Sequence, residues 1–161
     1  MRVRTGGRKL ATDQREGYSR AMFAILILLA ASLGGSGLVP VPFTTISQSD
    51  QSGVEELRQV VVRTPAEWKA FWKENWPGLP MPAVDFTKSM VIGVFLGSRP
   101  TGGYRVTITG IESEGANVAV TYREDRPGAR DILAQVLTFP HHLVRVERVA
   151  GEVKFARAEG R

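Results

Sequence analysis

The chain contains no cysteine and only two histidines, adjacent at His141 and His142. Without cysteine there is no disulfide framework, no thiol nucleophile and no lipid-modified cysteine anchor. Two neighbouring imidazoles and scattered carboxylates supply too few ligands for a metal centre, so no metal is expected. A strong field of one sign is missing as well. The net charge is +5, but residues 1–20 hold six Arg or Lys against Asp13 and Glu16, leaving 15 basic and 14 acidic side chains in the rest. A balance so close to neutral excludes a nucleic-acid footprint. No Walker-type phosphate loop occurs, and no G-x-G-x-x-G opens a helix. No cofactor is expected, and no internal repeat is visible.

What is present begins with a targeting pattern. Residues 1–20 form a basic n-region, and Ala21 to Leu33 run without a charge, with Ser32 the one polar residue. Small residues follow. This is the layout of a secretory signal peptide, or, read as 21–41, of a single transmembrane anchor. Either reading keeps the basic end in the cytoplasm and exports the rest, secreted or held at the cytoplasmic membrane. Residues 34–53, rich in Gly, Pro, Ser and Gln, read as a flexible linker. Residues 54–161 are left as one domain of ordinary size.

Within that domain, Leu57 to Arg63 predicts a strand. Thr64-Pro65-Ala66-Glu67 is a capping box with proline at N1, and Trp68, Phe71, Trp72 and Trp76 mark one face of the helix behind it. Core packing is the expected use of that face; an aromatic ligand platform is the alternative. Met90 to Leu96 is apolar at both parities, as in a central strand covered on both sides. Tyr104 to Thr109 and Val118 to Arg123 alternate as a hairpin around Ser113 to Ala116. Arg123 to Arg130 reads as a charged loop, Ile132 to Thr138 and Leu143 to Arg148 as strands, and Glu152 to Phe155 as a last one. The expected class is α+β: a curled antiparallel sheet of about five to seven short strands, packed on one amphipathic helix.

The stretch Leu96 to Tyr104, LGSRPTGGY, joins two of these strands. Arg99 to Gly102 suits a type I turn, with Gly102 left-handed in a bulged hairpin and Gly103 open to close approach. Arg99, Pro100, Thr101, Gly102, Gly103 and Tyr104 are therefore candidate partner-binding residues, because binding residues sit on loops held by a rigid sheet. His141 and His142 are further candidates, on opposite faces if extended. His142 with Ser98 or Thr101 and an acid such as Glu124 or Asp125 would complete a hydrolase triad, but no motif demands one.

The order of these parts resembles the C-terminal domain of the PrcB family, subunits of extracytoplasmic protease complexes. The resemblance rests on E-W-x-x-x-W (Glu67, Trp68, Trp72), V-D-F-x-K (Val84 to Lys88) and V-I-x-V-F-L-G-x-R-P-T-G-G-Y (Val91 to Tyr104). Pro140 followed by His142 to Val146, and Val153 with Phe155, complete it. It implies a protein-binding module that is not an enzyme and uses no cofactor. Its expected partner is a protein, a protease among the candidates, with the membrane a second contact if 21–41 is uncleaved. The competing reading is a peptidase inhibitor, since Thr101-Gly102-Gly103-Tyr104 is similar over a few residues to the Thr-Gly-Tyr loops of chagasin-like inhibitors.

Overall fold

The computed structural model describes residues 37–158, which lie within one compact unit, Gly37–Arg161. The basic n-region and the apolar run Ala21 to Leu33 fall outside the described residues. Among those described, no helix is long and apolar enough to cross a membrane.

Eight strands and one helix make up the unit: β1 (Val39–Pro40), β2 (Phe43–Ser49), β3 (Arg58–Val62), α1 (Pro65–Asn75), β4 (Ser89–Phe95), β5 (Arg105–Glu114), β6 (Asn117–Asp125), β7 (His141–Glu147) and β8 (Val153–Arg157). They form two four-stranded sheets, ordered β1-β5-β6-β8 and β2-β7-β4-β3. This replaces the single curled sheet expected from the sequence. Nor is the pairing wholly antiparallel, because β8 runs parallel to β6. Within the segment read as linker, residues 39–49 carry two strands: β1 pairs with β5, and β2 adds an edge strand along β7.

Strand β4 explains the layering. Its even residues, Met90, Ile92 and Val94, meet Val106, Ile108, Val118, Val120, Val144 and Val146 in a core between the sheets. Its odd residues, Val91 and Phe95, join Leu143, Val60 and Val62 beneath α1. Period-two alternation thus feeds two cores from one strand, and the continuous apolar run is the trace of that double burial.

Helix α1 starts where the capping box places it. The Thr64 hydroxyl accepts from Glu67 N–H at 3.2 Å, and the Glu67 carboxylate accepts from Thr64 N–H at 3.1 Å. Trp68, Phe71 and Trp72 are buried, and the indole N–H groups of Trp68 and Trp72 donate to the Pro82 and Leu79 carbonyls. Trp68 and Trp72 are core, their indole dipoles satisfied by the proline-rich return after the helix, and the partly buried Trp76 packs against them.

Candidate functional site

The stretch Leu96 to Tyr104 does not close a hairpin. It carries the chain from β4 in one sheet to β5 in the other. Gly97 makes that departure possible. Its φ is +76°, and a Cβ there would lie 2.7 Å from the Glu55 carbonyl oxygen, so both its conformation and its surroundings demand glycine. The left-handed residue at the far end is Gly103, at φ +85°, whereas Gly102, expected to hold that role, has no positive φ.

The loop is fastened from outside. Arg99 N–H donates to the Thr138 carbonyl at 2.8 Å, and Thr138 N–H returns the bond to Arg99 at 3.0 Å. Gly102 N–H donates to the Ala134 carbonyl at 3.0 Å, and the Thr138 hydroxyl to the Thr101 carbonyl at 2.9 Å. A type I turn would send Gly102 N–H to Arg99 instead. Residues 132–138, expected to be a strand, are instead a strap outside both sheets, tied to the loop at the Arg99–Thr138 bridge and by the Gly102–Ala134 bond. Thr138, at the bridge, is buried, while Ile132, Val136 and Leu137 are exposed.

A second fastening is electrostatic. Glu124 follows Val118, Val120 and Tyr122 at the next core-facing position of β6, and its side chain is only 2% exposed. A carboxylate so placed needs cationic partners. Three converge on it: Arg99 at 3.5 Å, Arg126 at 3.0 Å and Arg157 at 2.8 Å. The Arg99 guanidinium also lies 5.7 Å from the centroid of the Tyr104 ring. Pro100 is left exposed and Thr101 half-buried at the rim. On the other flank a cleft of about 360 Å³ opens, lined by Gln48, Ser49, Asp50, Gly103, Tyr104 and Arg105. The six loop candidates thus gather at one place.

The two histidines do not join them. His141 is 1% and His142 3% exposed, so burial removes both from the surface a partner would touch in this conformation. They do point to opposite faces, as adjacent strand residues should. The His141 ring stacks on Phe95 and tilts against Trp76 beneath α1. Its Nε2 meets the Ser47 hydroxyl at 2.8 Å, and its Nδ1 has no partner among the described residues. Burial, reinforced by the neighbouring His142, pushes its pKa down to about 4.

His142 faces the other core. Its Nδ1 accepts from Ile108 N–H of β5 at 2.8 Å, and its Nε2 lies 2.9 Å from the Thr45 hydroxyl. The Ile108 bond fixes the tautomer: Nδ1 must be bare, so Nε2–H donates to Thr45. Burial lowers its pKa as well. A bulge in β2 between Thr45 and Ser47 lets two residues so close in sequence face opposite sides, each meeting one of the adjacent histidines.

In the sequence Glu124 stands out only as a hypothetical triad acid, and nothing local marks Arg126, Arg157, Gly97 or the strap. The signal for Glu124 was present in the alternation of β6, which runs on through Glu124 and turns a charged-loop reading into a buried carboxylate.

These features define a small two-sheet β domain with one helix, presenting a loop fastened by a strap and by a buried carboxylate at the junction of the sheets. Residues 90–147, from β4 through β7, match the family described as PrcB C-terminal. The matched stretch contains the R-P-T-G-G-Y motif, Arg99 to Tyr104, and the tryptophan helix lies outside it. No curated protein and no solved structure matches the chain.

Proposed function

We propose that this chain is a non-catalytic, extracytoplasmic protein-binding module, an accessory or stabilising subunit of a protease complex, with its contact surface centred on Arg99 to Tyr104. The observation that carries the reading is the fastening of that loop. Backbone bonds to the strap and the Arg99–Glu124 pair hold it in one shape while Pro100 stays exposed. A pre-shaped loop on a rigid sheet loses little entropy on association.

The match to the PrcB C-terminal family supports a partner within a protease complex. The histidines support a non-catalytic role: the His142 nitrogens are engaged by Ile108 and Thr45, and His141 is enclosed by aromatic rings. The basic flank and the apolar run Ala21 to Leu33 support export.

The test places a photo-crosslinking amino acid at Pro100 of the full chain, expressed in its native host. The expected product is a crosslink to a protease-complex component on the exported side. Crosslinks absent at Pro100 but present at a control position on the outer face of α1, such as Lys73, would overturn the reading.

A further inference from the structure

Arg99, Arg126 and Arg157 reach Glu124 from three separate parts of the chain: the inter-sheet loop, the loop after β6 and the end of β8. One guanidinium would neutralise the carboxylate, so three leave a local surplus of positive charge. Neighbouring acids do not absorb it. Asp125 is taken by Arg123 at 2.6 Å, and among the described residues Arg126 and Arg157 form ion pairs with Glu124 alone.

Arg126 uses only Nε on Glu124, and Arg157 only one terminal nitrogen. The remaining N–H groups of both have no partner among the described residues, and their side chains are 63% and 46% exposed. Glu124 thus acts as a buried anchor that orients two guanidinium forks toward solvent, the geometry that receives carboxylates. Beside them lies the strap, joined to the same loop through Arg99–Thr138 and Gly102–Ala134 and exposing Ile132, Val136 and Leu137.

We propose that the arginine fan and the strap together dock an acidic polypeptide segment of the partner protein, its carboxylates on Arg126 and Arg157 and its apolar side chains on the strap. This rests on the protein-binding reading above and specifies the partner's chemistry. Charge complementarity selects the acid. The adjoining apolar side chains select a polypeptide over a nucleic acid, whose backbone offers phosphate alone.

The test measures fluorescence anisotropy of labelled short peptides against the full chain: one alternating Glu and Leu, one alternating Ser and Leu, and one alternating Lys and Leu. A short DNA duplex and vesicles of phosphatidylcholine with phosphatidylglycerol are measured beside them. The Glu/Leu peptide is expected to bind best, with affinity falling as salt rises. The double variant Arg126→Gln, Arg157→Gln, which leaves Arg99 on Glu124, should weaken it by about tenfold or more. Ile132→Ser, which touches no ion pair, should weaken it independently.

Equal binding of the Ser/Leu peptide, no binding of any peptide, tighter binding of DNA or vesicles, or indifference to both variants would each overturn the inference. A partner that crosslinks at Pro100 yet associates equally with the double Gln variant removes this inference and leaves the protein-binding reading standing. Loss of the Pro100 crosslink itself removes that reading.

Discussion

Two glycines of one loop differ in what they demand. Gly97 combines a left-handed φ with backbone contact on the side where a Cβ would project, whereas a Cβ on Gly102 would meet only Ala134, at 3.9 Å. Gly97→Ala should therefore cost at least about 1–3 kcal/mol in urea unfolding, and Gly102→Ala less than about 1 kcal/mol. Equal costs would mean that the crossing between sheets is not held as described. Arg99 differs from its loop neighbours in the same way. It pairs with a buried carboxylate, so Arg99→Ala disturbs the fold and the contact surface together, while Pro100 separates the two. Sequence reasoning found the six-residue cluster because glycine and proline mark any turn. It assigned the left-handed role to Gly102 because turn type follows from hydrogen-bond partners, and here those partners sit in the strap, more than thirty residues away.

At the scale of elements, α1 and β4 were legible and β2 was not. The helix announced itself through Thr64, Pro65 and Glu67 and through indoles at helical spacing, and β4 through apolar residues of both parities. Strand β2, FTTISQS, is polar because it is an edge strand whose Thr45 and Ser47 serve the histidines, so it resembled linker. The strap misled in the opposite sense, since Ile132 to Thr138 is as apolar as a strand but has no ladder to fill. Trp72→Ala should destabilise by about 3–5 kcal/mol, the cost of emptying a large aromatic site. Thr64→Ala, which removes half the capping box, should cost about 1 kcal/mol. Chemical denaturation checks both, and a Trp72 variant of unchanged stability would remove the tryptophans from the core.

For the whole molecule, periodicity could not reveal that the strands divide into two sheets, because alternation reports which faces are covered and not which strands pair. The sheets are joined at His142, whose bare Nδ1 receives a backbone N–H from across the interface. Protonation would set two donors against each other there. His141 has a folded pKa of about 4, below the 6.5 of an ordinary histidine, so the unfolded chain takes up the proton first as pH falls. Its contribution is complete above about pH 6.5 and is lost on descent to about pH 4, an effect of about 3 kcal/mol. His142 acts with the same sign. Urea midpoints measured across that window should fall with pH, and His141→Phe should flatten the fall; an unchanged slope in the variant would assign the pH dependence elsewhere.

The central claim is that the loop between the sheets is a pre-shaped contact surface, separable from the fold it caps. The most direct measurement compares association and thermal midpoint for Pro100→Glu in the full chain, using the partner that crosslinks at that position. Pro100 is exposed and outside the fastening bonds, so the midpoint should stay unchanged, as for most surface substitutions. A new acid facing an acidic segment should lower affinity by about tenfold. Unchanged affinity in a well-folded variant would reduce Arg99 to Tyr104 to a connection between two sheets.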